Sequence, residues 1–265
     1  MDSITFVGNA TTLLRLGSFT LLTDPNFLRK GQRAYLGNGL WTRRLREPAM
    51  QPADLPPLDV VVLSHLHGDH FDRVARRGLT RDTPVVTTPE AARRLARWGF
   101  ETAALRTWQV HELSTGEERL TIESLPAVHA RGALGRLLPT VMGSWVEHRV
   151  GQALRHRLYI SGDTLTGDHV DDIRRRHPVT DVAVVHLGGT RVLFSTVTMD
   201  AGQGVDFVRR VDPGRVVPVH FDDYTVFRSP VAAFVDAAGA AGFGARIDVP
   251  LHGETLPLPA VAESA

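Results

Sequence analysis

Three short apolar runs open the chain, ITFVG, TTLLRLG and FTLLTD, separated by glycine-containing turns in the manner of a β-meander. The pattern then lapses. From Pro25 to Asp59 no periodicity holds, and the stretch is broken by Gly31, Gly37, Gly39, the basic run RRLR and Pro52, Pro56 and Pro57. A segment of this length inside a compact unit reads as a lid over a site, with Tyr35 and Trp41 as contact residues, or as a surface excursion packed down by those two aromatics. Beyond Asp59, strands and helices alternate. DVVVLS and TPVVTT read as buried strands, and PEAARRLARWG as a helix with Pro89 in its first turn and Gly99 past its end. RLTIESL, GSWVEHRV and RLYISGD are strands, GDHVDDIRRR a helix and DVAVVHL a strand. MDAGQGVDFVRRV places Ala201, Val205, Val208 and Val211 on one helical face. GRVVPVHF is a late strand and SPVAAFVDAAGAAG a last helix, and the tail VAESA is expected to fray. With no internal repeat or linker, residues 1–265 are expected to form a single α/β domain.

Composition narrows this picture only slightly. Hydrophobic residues make up 43% of the chain and charged residues 22%, the balance of an ordinary globular protein, and the formal net charge is +1. That charge gives no general attraction for nucleic acid or an anionic membrane. The absence of cysteine excludes disulfides, thiolate zinc sites and a cysteine nucleophile. The N-terminus lacks the pattern of a signal peptide, and no apolar run reaches the length of a membrane span. A cytoplasmic protein is the expectation, by absence of such signals.

Candidate chemistry concentrates in SHLHGDHF, directly behind the apolar run VVVL. His65 and His67 stand two apart, so in an extended segment both point the same way. Asp69 and His70 lie beyond the Gly68 turn and can aim elsewhere. Imidazole and carboxylate both suit zinc and related divalent metals, and four donors on so tight a loop fit two adjacent ions better than one. Further donors are then expected at other strand ends, where His129 in LPAVHA, Asp163 in YISGDT and His220 in VVPVHF are found. Taken singly, each of these reads more readily as a hydrogen-bonded structural residue.

The order HLHGDH, VHA, SGDT and PVHFDDY resembles the metallo-β-lactamase superfamily of dinuclear hydrolases. The opening FVGNATTLLRLGSFTLLTDP is similar to the branch containing L-ascorbate-6-phosphate lactonase and the N-acyl-phosphatidylethanolamine phospholipase D-like enzymes. The resemblance runs from about Thr5 to His220. It implies a four-layer αββα sandwich of two mixed sheets with outer helices. It assigns His65, His67 and His129 to one metal and Asp69, His70 and His220 to a second, with Asp163 bridging. The cofactors it implies are two divalent ions, zinc by default, with manganese or iron able to occupy the same ligands. Asp24 matches a buried aspartate that orients a ligand. Where relatives often carry GHAT this chain has GNAT, so Asn9 can hydrogen-bond but cannot titrate.

The implied reaction is attack by a metal-bridging hydroxide on an ester, lactone or phosphodiester, with Asp69 and Asp163 in the catalytic centre. His186, Asp222, Asp223 and Tyr224 are candidates for proton donation or substrate contact, with His186 and Tyr224 foremost. His186 also reads as a core histidine, and the DDY stretch as a polar loop. Arg131 and Arg191 are candidate anion contacts. His67 fits the hydrolases rather than the diiron flavoproteins, and the missing cysteine argues against a true β-lactamase. The apolar loop GALGRLLPTVMG, with Leu134, Leu137, Leu138 and Met142, either lines the cleft or packs between the sheets. A non-catalytic metal- or ligand-binding protein that kept the fold is the alternative.

Overall fold

The computed structural model describes residues 1–192 and 195–259, apart from the side chain of Ala133; the tail VAESA lies outside the described residues. The opening runs form the antiparallel meander β1 (Ser3–Gly8), β2 (Thr11–Leu16) and β3 (Phe19–Thr23). The aperiodic stretch carries a two-stranded hairpin, β4 (Arg33–Tyr35) and β5 (Trp41–Arg43). There follow β6 (Val60–Leu63), α1 (Arg73–Gly78), β7 (Val85–Thr87), α2 (Pro89–Ala96) and β8 (Thr102–Ala104). The next strands are β9 (Val110–Thr115), β10 (Glu118–Leu125), β11 (Gly143–Val150) and β12 (Ala153–Ile160). The remainder comprises α3 (Asp168–Arg176), β13 (Val182–His186), the short pair β14 (Arg191–Val192) and β15 (Ser195–Thr196), α4 (Ala201–Val211), β16 (Arg215–Val219), α5 (Val231–Ala240) and β17 (Thr255–Pro257).

Two mixed sheets result, in the orders β17-β1-β2-β3-β6-β7-β8 and β16-β13-β12-β11-β10-β9. Strand alternation sorts their faces. Val60 and Val62 point into the layer between the sheets, where they meet Phe6, Leu14, Leu120, Val146, Leu158 and Val184. Val61 and Leu63 point outward onto Ala75 of α1 and Ala91 and Leu95 of α2. On the far side, Trp145, Tyr159, Ala183 and Val185 meet α3, α4 and α5 through Val170, Ile173, Val208 and Phe234. Central strands are therefore buried on both faces, which is why VVVL and VAVVH show no polar alternation. The four layers are the expected αββα sandwich.

Strands β3, β6 and β7 are parallel to one another, as are β12, β13 and β16. Their carboxyl ends release Asp24, Ser64, Asp163, His186 and His220 at one end of the sandwich, the usual place for a site in a sheet of this kind. Among the described residues no helix is long and apolar enough to cross a membrane.

Candidate metal centre

The loop after β6 is shaped before any ligand enters the argument. Gly68 lies so close to the hairpin that a Cβ there would stand 2.6 Å from the carbonyl oxygen of Tyr35. The Gly68 amide donates to that same oxygen at 2.9 Å, tying the His-rich loop to β4. Asp72 closes the loop. One carboxylate oxygen accepts from the amides of Val74 and Ala75 and so caps α1, while the other accepts from Phe27 and Leu28. Gly162, at φ +61°, lets the chain after β12 turn beneath Met142, bringing Asp163 under the loop.

All seven sequence-predicted donors converge. Donor atoms of His65, His67 and His129 lie within 4.8 Å of one another, as do those of Asp69, His70 and His220, and those of His65, His70 and Asp163. The Asp163 carboxylate stands between the groups, 3.2 Å from His70 Nε2 and 3.9 Å from His65 Nε2. His220 Nε2 lies 3.4 Å from Asp69 Oδ2. These groups are buried except His67, which is partly open.

Each imidazole is fixed by what its other nitrogen does. His129 Nδ1 donates to the Val197 carbonyl at 2.9 Å, and His220 Nδ1 to the Leu187 carbonyl at 3.0 Å. His70 Nδ1 faces Asp24 Oδ2 at 3.2 Å, and His65 Nδ1 faces the Ser64 hydroxyl at 3.0 Å. With Nδ1 donating, the Nε2 atoms of His129, His220 and His70 are turned into the cluster, the arrangement typical of metal-bound histidine. His129 Nε2, Asp69 Oδ1 and Asp163 Oδ1 are buried there with no hydrogen-bond partner. Orphaned buried acceptors are costly, and these three are atoms of the expected ligand set. The donor set is nitrogen and oxygen only, which suits divalent cations.

Protonation preferences follow from the same contacts. Burial alone would raise the Asp163 carboxyl, but His220 and His70 outweigh it and hold it well below the usual carboxylate range. Burial would likewise raise Asp24, yet His70 and His186 hold it at about 2. Burial would lower His70, but Asp163, Asp24 and Asp69 push it well above its ordinary value; His220 is raised mainly by Asp163. Burial keeps His67 down at about 4 and lowers His65 and His129, so these three are neutral imidazoles at pH 7.

Other sequence candidates are placed differently. His186 is fully buried behind the centre, with Nε2 3.2 Å from Asp24 Oδ2 and Nδ1 3.3 Å from the Ser161 hydroxyl. It acts on His70 through Asp24 and does not line the cleft. Tyr224 is buried beside Leu28 and Ala34, and its hydroxyl donates to Asn26 Oδ1 at 2.8 Å, turned away from the cleft. Burial also pushes its phenol further above the ordinary range, so Tyr224 belongs to the support of the site rather than to proton donation. Asp223 is fully buried against His252 (3.0 Å) and Arg44 (3.9 Å). Asp222 is partly open and faces Arg46 at 3.9 Å. Arg131 donates to the Thr166 carbonyl at 3.0 Å, whereas Arg191 lines the cleft. The apolar loop divides: Leu138 lines the cleft, Leu137 is exposed beside it, and Met142 packs between the sheets.

Two supporting residues escaped the sequence reading, and a third was noted there only as able to hydrogen-bond. Asn26 Nδ2 donates to the Gly68 carbonyl at 3.1 Å, and its Oδ1 accepts from both Arg44 and Tyr224. Arg44, part of the basic run RRLR, is wholly buried. Asn9 is the third: its Nδ2 donates to the Asp69 carbonyl at 2.7 Å, and its own carbonyl accepts from the His220 amide at 2.7 Å. It thus links two donor loops while occupying the left-handed region at φ 54°, which asparagine tolerates. The Gly-Asn pair in GNAT was a signal for that turn; nothing local marked Arg44 as buried.

Comparison with known proteins agrees with the geometry. A family described as the beta-lactamase superfamily domain matches residues 20–221, three quarters of the chain and every donor named above. The chain belongs to the metallo-β-lactamase superfamily. Superfamily relatives include an uncharacterised protein of Mycobacterium tuberculosis, 27% identical over 96% of this chain and 68% of the relative. Another is the UPF0173 protein YddR of Bacillus subtilis, 26% identical over 96% of this chain and 98% of the relative. Among solved structures, a possible metal-dependent hydrolase from Veillonella parvula superposes with TM-score 0.82 at 21% identity, covering 97% of this chain and all of that one. An isothiocyanate hydrolase from Delia radicum gut bacteria superposes with TM-score 0.81 at 22% identity, covering 97% and 99%. These structures share the metallo-β-lactamase fold.

Proposed function

We propose that this superfamily member is a dinuclear metal-dependent hydrolase that cleaves an ester-type bond, lactone or phosphodiester, of a small molecule. We read residues 1–265 as one domain acting in the cytoplasm, nearest in kind to the lactonase and phospholipase D-like branch. The observation that carries the reading is the convergence of two donor groups on the shared carboxylate of Asp163, with buried unpartnered atoms facing inward.

His65, His67 and His129 would hold one ion, Asp69, His70 and His220 the other, and Asp163 both. Ions so held supply Lewis acidity toward a carbonyl or phosphoryl oxygen and lower the pKa of a water to near neutrality. The protein's own groups do the rest. Asp163 holds the two donor sets in register, and Asp24 keeps His70 in the tautomer whose Nε2 faces inward. His186 steadies Asp24. Asp69 and His67, which line the cleft, stand where a substrate enters. One water is consumed: its oxygen bonds to the acyl carbon or phosphorus, the bond to the leaving oxygen breaks, and a proton ends on the leaving alkoxide.

Elemental analysis of the purified protein, beside turnover of an aryl ester, a lactone, an aryl phosphodiester and an isothiocyanate, tests this reading. Two metals per chain are expected, with turnover of at least one substrate that Asp163→Asn abolishes. Stoichiometric metal with no turnover of any substrate would instead favour a binding protein that kept the fold.

A further inference from the structure

The mouth of the cleft is unlike its floor. On the floor stand His67, Asp69, His129, Asp163 and His220. The walls are apolar, with Leu36 and Leu40 from the hairpin, Leu138 from the facing loop, and Val197 and Val226. At and beyond the outer edge of the walls, large apolar side chains remain in solvent. Trp41 is 61% exposed, Tyr35 44%, Leu40 41% and Leu137 68%. They form one rim. The Tyr35 and Trp41 rings pack 4.9 Å apart, and Asn38 Nδ2 donates to the Leu137 carbonyl at 3.3 Å, joining the hairpin to the loop across the cleft.

Contiguous exposed apolar surface on a soluble domain marks a binding face, and this one is continuous with the candidate centre. The cleft is open to solvent along this rim, so a longer ligand leaves across it. Charge narrows the ligand further. Arg191 is the only lysine or arginine lining the cleft among the described residues, and Arg131 is engaged with the Thr166 carbonyl. Beyond the ions proposed for the floor, a phosphorylated sugar would find one cationic side chain and several aliphatic walls.

We infer that the substrate is a single-chain amphiphile, a linear acyl ester or an alkyl-substituted lactone. Its reacting carbonyl sits over the centre and its alkyl chain runs outward across Leu40, Trp41 and Leu137. This rests on the proposed hydrolase activity and specifies its substrate class. The hairpin and the loop are the specificity elements, and Trp41 supplies a rigid apolar plate at low entropic cost.

Two measurements on the zinc-loaded protein test the inference, both kept below the critical micelle concentrations. In the first, kcat/KM is measured for p-nitrophenyl esters from acetate to dodecanoate. In the second, calorimetry follows binding of linear carboxylates from butyrate to decanoate, which needs no turnover. Both kcat/KM and affinity should rise roughly two- to fourfold per added methylene over several methylenes. Trp41→Ser with Leu137→Ser should flatten both slopes without changing metal content. Turnover that ignores chain length, with flat carboxylate binding, overturns the inference and leaves the hydrolase reading standing. Chain-dependent binding without turnover of any ester or lactone does the reverse. Slopes that persist in the double variant place the chain elsewhere and also overturn it.

Discussion

Asp24→Asn isolates the most informative contact in the centre. Asp24 is buried at φ 37°, a conformation asparagine also adopts, and the side chains have nearly the same shape, so the backbone should hold. Its Oδ1 accepts from the Ser64 amide at 2.7 Å, and Oδ2 faces both His70 Nδ1 and His186 Nε2 at 3.2 Å. An amide can keep the Ser64 bond through its oxygen, but it then turns an NH2 toward two ring nitrogens that were donating. His186 can adapt by moving its proton to Nδ1, where the Ser161 hydroxyl lies 3.3 Å away. For His70, a cation in the metal-free parent, the amide favours losing the Nδ1 proton and keeping the one on Nε2, the atom that faces Asp163 and Asp69. Metal binding must then reverse that tautomer and break the Nε2 contact. Losing such a support to a metal-bound histidine typically costs 10–100-fold in metal affinity, or about 1.4–2.8 kcal/mol. The metal-free protein should also lose about 1.5–3 kcal/mol, the worth of a hydrogen bond to a charged partner. Competition against a chromogenic chelator reads the affinity, thermal unfolding reads the stability, and 15N NMR of the imidazoles reads the tautomer. Affinity within twofold of the parent, with His70 still protonated at Nδ1, would refute the reasoning.

Three further outcomes are expected. Gly68→Ala should destabilise by about 1–3 kcal/mol, because its Cβ meets the Tyr35 backbone rather than a side chain that can swing away; an unchanged unfolding midpoint would count against the hairpin contact. Arg44→Met, leaving Asp223 buried without its cation, should cost about 3–5 kcal/mol, and adding Asp223→Asn should recover part of that in a double-mutant cycle. The metal-free protein should be most stable near pH 6–7. His65, His67 and His129 bind protons less readily folded than unfolded, so stability falls as pH drops below their unfolded value of about 6.5; His70 and His220 bind them more readily, so their contribution is lost as pH rises through their folded values. Metal, which needs neutral imidazole, should move that optimum upward, and a midpoint flat from pH 5 to 8 in the metal-free protein would contradict the assignments.

The sequence by itself determined the alphabet of the centre and most of the scaffold. The runs that became β1–β3, β6, β7, β10–β13 and β16, and the helices α2 to α5, are marked by local periodicity, because side-chain direction repeats every two residues in a strand and every 3.6 in a helix. The seven donors were legible because each sits within a few residues of an apolar run, where a chain leaving a sheet exposes polar side chains. The hairpin β4–β5 was not legible: three-residue strands bounded by glycines are too short to show a period, and their pairing is stabilised by Gly68 and Thr225, far away in sequence. Only the tertiary structure decided that Arg44 is buried, that Tyr224 turns to Asn26, and that Asn9 ties the Asp69 loop to His220. It also decided that His186 lies behind the centre, bonded to Asp24. Those outcomes depend on which strands become neighbours, a long-range property that fixes tautomers and partners and leaves no local trace in composition or spacing.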